Sequence, residues 1–169
     1  MRIRIRIPQV LAAIGVLALG AVGLAALAQY AFDMQPCPWC VFQRLVYIVV
    51  GVLALLAAVL SNTPRRVVIG LAFLGALGGI ASALWQQLRA VNENSCDLSF
   101  AERFISKLQL DALVPQLFVA YASCADAAVS VLHIPFAVWS CAMFAILSFL
   151  LAWTFRASLK SARPGFRNA

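Results

Sequence analysis

The chain has 169 residues, of which 64% are hydrophobic and only 11% charged, with a net charge of +7. Soluble domains carry about 25% charged residues, so this composition excludes a soluble enzyme or a soluble domain on a single anchor. It points instead to an integral membrane protein. Uncharged runs at residues 7–32, 45–64, 67–88 and 127–155 each supply the ~20 residues needed to cross a hydrocarbon core of ~30 Å. The fold class expected is an all-α membrane protein, a four-transmembrane-helix bundle. Four spans use over half the chain, so one integral domain, 1–169, is expected, without an internal repeat or low-complexity linker.

In chain order, the first span is placed at about 10–30, where Gly15, Gly20 and Gly23 suit close helix packing in lipid. Its Arg-rich start and the later Ala26-Leu27-Ala28 also resemble a cleavable signal peptide. The apolar stretch exceeds the usual 7–15 residues of such a signal, so a retained helix is expected. A short loop at about 31–39 leads into a second span at about 40–60. Ser61-Asn62-Thr63-Pro64-Arg65-Arg66 is read as a tight turn. The third span, about 67–88, carries Gly70, Gly75, Gly78 and Gly79 as packing candidates. The long second loop, about 89–133, interleaves Phe100, Phe104, Ile105, Leu108, Leu117, Phe118 and Tyr121 with Glu102, Arg103, Lys107 and Asp111. That pattern predicts a short amphipathic helix in the membrane interface, with Pro115 breaking any helix there. The fourth span is placed at about 134–155, followed by a basic tail.

Charge is segregated. Arg2, Arg4 and Arg6, then Arg65 and Arg66, then Arg156, Lys160, Arg163 and Arg167 all fall on one side of a four-span chain. All six acids, Asp33, Glu93, Asp97, Glu102, Asp111 and Asp126, fall on the other. By the positive-inside rule both termini are cytoplasmic. The basic segments are thus topology signals and contacts for anionic lipid, not a nucleic-acid surface.

Of five cysteines, Cys37, Cys40, Cys96 and Cys124 map to the outer side and Cys141 to span four. Disulfides persist on the outer, oxidising side of a bacterial inner membrane, so four outer cysteines suggest two pairs. Chain position suggests Cys37–Cys40 and Cys96–Cys124, and three connectivities are open. The Cys37-Pro38-Trp39-Cys40 unit could be redox-active, half a zinc site or a haem attachment. Haem attachment needs a His after the second Cys, where Val41 stands. Zinc would need all four outer cysteines, but Cys96 and Cys124 lack the second close pair of a zinc ribbon.

Redox chemistry has more physical support. Thiolate is the exchanging species, and Cys40 falls in the first turn of span two, where the helix dipole favours an anion. Arg44 lies four residues on, on the same helix face, where a cation lowers a thiol's pKa. Arg44 is read as a partner of the thiolate and of a polar electron acceptor, against a lesser role as a snorkelling interface anchor. A structural membrane protein with two inert disulfides would leave Arg44 unexplained.

Cys37-Pro38-Trp39-Cys40-Val41-Phe42-Gln43-Arg44, two distant loop cysteines and four spans resemble the DsbB family, inner-membrane quinone-dependent thiol oxidases. Residues 110–118 (LDALVPQLF) before Cys124, and 134–139 (IPFAVW) opening span four, are also similar to that family. The resemblance implies catalytic roles for Cys37, Cys40, Cys96 and Cys124 and a quinone-binding role for Arg44, with no metal. It implies a thioredoxin-fold partner of the DsbA type, with both cysteine loops periplasmic. That reduced partner attacks Cys96–Cys124 and forms a mixed disulfide with Cys96. Cys124 then attacks Cys37, and Cys40 passes the electrons to a quinone, ubiquinone or menaquinone. Oxidases of the DsbA type stand near −120 mV, so a dithiol near −200 mV would oxidise them uphill by ~3.7 kcal/mol. A quinone of higher potential is needed to pull the sequence forward. Trp39, Phe42 and Tyr47 are candidates to line its ring. No His stands late in span three, where some members carry one; Trp85 and Gln86 occupy that neighbourhood. Cys141 and His133 are given no role. Vitamin K epoxide reductase-like proteins share a four-helix core but place their dithiol late in it, which disfavours that alternative.

Overall fold

The computed structural model describes residues 6–90, 100–125, 130–131 and 133–160. Seven helices occur among them. The long ones are α1 (Ile7–Ala31), α2 (Pro38–Val59), α3 (Asn62–Trp85) and α7 (Phe136–Lys160). A π-helical turn, Gln86–Ala90, extends α3, and three short helices occupy the second loop: α4 (Phe100–Lys107), α5 (Leu110–Leu113) and α6 (Pro115–Phe118). A two-stranded antiparallel hairpin, β1 (Ser130–Val131) and β2 (Ile134–Pro135), pairs Ser130 with Pro135 and Val131 with Ile134 and feeds α7. His133, in the left-handed region at φ 65°, sits exposed at its tip.

All four long helices are long and apolar enough to cross a membrane, and the protein is a multi-pass four-helix membrane bundle. Their outer faces carry Val16, Leu24, Val52, Val59, Leu74 and Phe149 in exposed positions. Lipid, unlike water, imposes no penalty on such a surface, so the packing between helices rests on shape. The core is built from Leu11, Ile14, Ala18 and Val22 of α1, Tyr47, Val50, Ala54 and Ala57 of α2, Ile69, Ala72 and Ala76 of α3, and Phe144, Leu147 and Leu151 of α7. Helices α1 and α2, α2 and α3, and α3 and α7 pack closely, whereas α1 and α7 touch more sparsely. That weakly closed flank is where a cavity opens.

Glycine packing is more selective than composition suggests. A Cβ on Gly15 would stand 2.5 Å from Leu55 Cγ, and one on Gly51 2.9 Å from Leu19 Cγ, so these two residues let α1 and α2 approach. A Cβ on Gly79 would meet the Phe144 ring at 2.5 Å, and one on Gly75 would meet Val50 at 3.2 Å. Gly20, Gly23, Gly70 and Gly78 face open space, contrary to the packing role expected of them.

The helix ends also differ from the sequence expectations. The tight turn expected over 61–66 shrinks to Leu60 and Ser61, because Pro64 falls in the first turn of α3, where a missing N–H has no intrahelical acceptor to lose. Arg65 Nε donates to the α2 carbonyls of Leu60 (2.7 Å) and Ala57 (3.2 Å), holding the two helix ends together. The first loop ends at Cys37 rather than 39, since Pro38 occupies the favoured first helical position of α2. The fourth span begins at Phe136 and runs to Lys160, later at both ends than expected. Pro115 does break the second loop, separating α5 from α6 at Val114.

Candidate functional site

Cys37 is the N-cap of α2. Its sulfur accepts from the Cys40 backbone N–H at 3.3 Å and its carbonyl accepts from Val41 N at 3.0 Å. The cap satisfies one of the donors left free at a helix start and fixes the two thiols side by side, Sγ to Sγ 2.8 Å. Cys37 is fully buried, while Cys40 is partly exposed.

Cys124 joins them from the second loop. The Cys37 thiol is within hydrogen-bonding reach of Cys124, whose sulfur also accepts from the Trp39 backbone N–H. Four tethers hold this loop segment on the bundle. Tyr121 N and Ala122 N both donate to the Pro36 carbonyl (3.0 and 3.4 Å), Tyr30 Oη donates to Gln116 O (2.9 Å), and Arg44 Nη1 donates to Leu117 O (3.1 Å). Hydrogen bonding between the two sulfurs sets their acidities apart. Donation from Cys37 holds Cys124 below the ordinary thiol range, against the opposing effect of burial. Cys37, in turn, is pushed up by its bonds to Cys124 and Cys40 and by burial. In the dithiol form negative charge is therefore favoured on Cys124 over Cys37. Cys96 lies outside the described residues, so the pairing expected between Cys96 and Cys124 does too.

Arg44 is buried, not snorkelling, which excludes the lesser role of an interface anchor. Besides Leu117 O, its guanidinium donates to Gln29 Oε1 (2.7 Å) and to Ala25 O (3.4 Å) of α1. None of these is a carboxylate, so among the described residues the cation's hydrogen-bond partners are all neutral oxygens. Such an arrangement is costly unless further negative charge or an acceptor arrives.

A cavity of about 480 Å³ lies between α1, α2 and α7, within the range of small-molecule sites. Its wall is apolar along Val16, Leu17, Gly20, Leu24 and Met143, and Cys40, Gln43, Arg44, Tyr47 and Ser140 also line it. Val16, Leu17, Leu24 and Trp139 are exposed on the outside of the bundle as well, so the cavity opens sideways. Of the three aromatics considered, only Tyr47 lines it. Trp39 and Phe42 turn to the other side of α2, where they pack with Trp85 of α3 and Phe100 and Phe104 of α4 at centroid distances of 5.7–6.5 Å.

Two residues that the sequence did not single out as functional belong to the site. Gln86 Nε2 donates to Cys40 Sγ (3.3 Å) and Cys37 Sγ (3.5 Å), from the position late in span three where the His is missing. Gln43 donates to Gln86 Oε1 at 2.7 Å. Both are buried, and a polar side chain inside an apolar span was the available signal. Cys141 is half-buried on α7.

A dithiol capping a transmembrane helix, a third thiol docked against it and a cavity beside them define a membrane-embedded thiol–disulfide redox protein. The family model "Disulfide bond formation protein DsbB" matches residues 7–154. Among similar proteins, the Disulfide bond formation protein B of Cupriavidus metallidurans is 34% identical over 82% of this chain and 86% of its own. That of Cupriavidus necator is 35% identical over the same shares. That of Nitrosomonas europaea is 32% identical over 85% of this chain and 91% of its own. The chain belongs to the DsbB family and is a membrane protein of disulfide bond formation.

Proposed function

We propose that this protein reoxidises a periplasmic thioredoxin-fold oxidase of the DsbA type and delivers the electrons to a membrane quinone. The chain is then a single domain of a bacterial inner membrane, with both termini cytoplasmic and the dithiol end periplasmic. The observation that carries this reading is the convergence of Cys124 and Cys37 on Cys40, which lines the same cavity as Arg44.

The electrons balance in three exchanges. The partner's two thiols lose two electrons and two protons as the Cys96–Cys124 disulfide is reduced, through a mixed disulfide on Cys96. Cys124, whose sulfur accepts from the Trp39 backbone N–H, attacks Cys37 Sγ of the Cys37–Cys40 disulfide and expels Cys40 as thiolate. Cys96 then attacks Cys124 Sγ and expels Cys37 as thiolate, regenerating Cys96–Cys124 and leaving Cys37 and Cys40 reduced. The quinone supplies a two-electron, two-proton acceptor. Cys40 gives up the pair, the Cys37–Cys40 disulfide re-forms, and the dithiol's protons leave with the electrons. Arg44 would donate to a quinone oxygen, and the apolar wall from Val16 to Leu24 would exclude water and accommodate the apolar part of the molecule. The residues present fit such a group: Arg44, Tyr47, Gln43 and Ser140 line a cavity of suitable size whose other wall residues are mostly apolar.

The test is turnover of purified protein with reduced partner oxidase and ubiquinone or menaquinone, followed by loss of quinone ultraviolet absorbance. Wild-type protein should reduce quinone only when the partner is present, and Cys40→Ser should not. Native-rate quinone reduction by Cys40→Ser would overturn the assignment.

A further inference from the structure

A line of buried polar side chains runs from the wall of the cavity to the dithiol, crossing three helices. Tyr47, Gln43, Gln86 and Ser140 are each at most 9% exposed. Ser140 Oγ donates to Gln43 Oε1 at 2.6 Å. Gln43 Nε2 donates to Gln86 Oε1 at 2.7 Å. Gln86 Nε2 donates to Cys40 Sγ at 3.3 Å. Because Ser140 commits its proton to Gln43, Tyr47 is the donor to Ser140, at 3.1 Å to its carbonyl and 3.2 Å to Oγ. Every donor in the line therefore points towards the sulfur.

Packing fixes each member. The Tyr47 ring stacks on Phe144 at 3.9 Å and 11°, and Phe144 is seated over Gly79. Gln86 opens the π-helical turn at the end of α3, a local widening that often marks functional positions. Linear chains of donors polarise one another in a low dielectric, so the distal members strengthen the bond that ends on sulfur.

We propose that Tyr47, Ser140, Gln43 and Gln86 form an oriented hydrogen-bond chain that positions and stabilises negative charge on Cys40. These are positioning residues; Cys40 alone among them carries the electrons. The inference deepens the quinone-reduction reading and rests on it for its biological use, though the chain itself can be tested without quinone. Among the described residues, the titratable and charged groups that face Cys40 are Cys37 and Cys124 from the two loops and Arg44 on its own helix. Helices α3 and α7 contribute to the chain the neutral Gln86 and Ser140. The chain thus supplies from α3 and α7 what Arg44 supplies by charge from α2.

The measurement is the pH midpoint of Cys40 alkylation in full-length Cys37→Ser protein, resolved by mass spectrometry. Gln86→Leu removes the terminal donor and should leave about tenfold less thiolate at a given pH, an upward shift of about one unit. Gln86→Glu keeps the shape but replaces the donor with an acceptor and should shift the midpoint further in the same direction. Ser140→Ala, two bonds away from sulfur, should shift it upward by less. Should Gln86→Leu fail to fold, the isosteric Gln86→Glu and the remote Ser140→Ala carry the test. An unchanged midpoint in folded Gln86→Glu, or a downward shift in any variant, overturns the proposal. Failure of wild-type protein to reduce quinone would instead overturn the functional reading and leave these midpoints to stand or fall alone.

Discussion

Replacing Arg44 by Met separates what the guanidinium contributes to folding from what it contributes to the reaction. Met has similar bulk and no charge. The replacement deprives Gln29 Oε1, Leu117 O and Ala25 O of a donor. An unsatisfied buried acceptor costs about 1–3 kcal/mol in soluble proteins, but hydrogen bonds inside membrane bundles average nearer 0.6 kcal/mol. Three such losses therefore total about 2 kcal/mol. Against them stands the desolvation cost of a buried cation whose partners among the described residues are all neutral, several kcal/mol. Arg44→Met should consequently match or exceed the thermal stability of the native protein. Its interaction with quinone should move the other way. A charge-assisted bond to a carbonyl oxygen contributes about 1.5–3 kcal/mol, so the KM for quinone should rise about ten- to a hundredfold. Thermal unfolding of detergent-solubilised protein and quinone-dependent turnover read the two effects. Native quinone dependence in a folded Arg44→Met protein would refute the placement of the quinone head at Arg44. A collapse in stability would show that the cation is structural.

Gly79→Ala should lower stability by about 1–3 kcal/mol through overpacking, because the new Cβ overlaps the Phe144 ring. Gly20→Ala, with nothing within 4 Å, should leave it unchanged or raise it slightly; thermal melts of the pair check both. In the dithiol form, Cys124 should alkylate with a midpoint below the ordinary thiol range and lose reactivity as pH falls through that midpoint. Removing the donor with Cys37→Ala should move the midpoint up, so that at neutral pH Cys124 reacts more slowly; peptide-resolved alkylation against pH measures this.

The four spans are legible from hydropathy because lipid demands long apolar runs. Helix ends are less so. Asn62, Thr63 and Pro64 have the composition of a turn, yet a first helical turn tolerates them. The site divides in the same way. Cys40, Gln43, Arg44 and Tyr47 follow the three- and four-residue spacing of one helix face, while Trp39 and Phe42, equal candidates in the sequence, fall on another face. Gln29, Gln86 and Ser140 belong to other helices, and their meeting with that face depends on helix rotation, which the sequence pattern does not encode. The docking of Cys124 beside Cys37 depends on loop carbonyls at Pro36 and Leu117, which no side-chain motif reveals. A short helix does form in the second loop, at α4, and it packs on α2 through Phe42 rather than standing apart.

The sideways opening between α1 and α7 has a consequence for how this protein's kinetics must be expressed. A substrate that enters through the flank of the bundle arrives from a two-dimensional solvent. Its driving concentration is then the mole fraction in the bilayer, not the amount per volume of buffer. Diluting proteoliposomes in water would leave the quinone half-reaction unchanged, while diluting the quinone with added lipid would slow it. On the proposed function the thiol half-reaction, with a partner in the aqueous phase, would respond in the opposite sense. One molecule would thus obey two concentration scales, joined at Cys37.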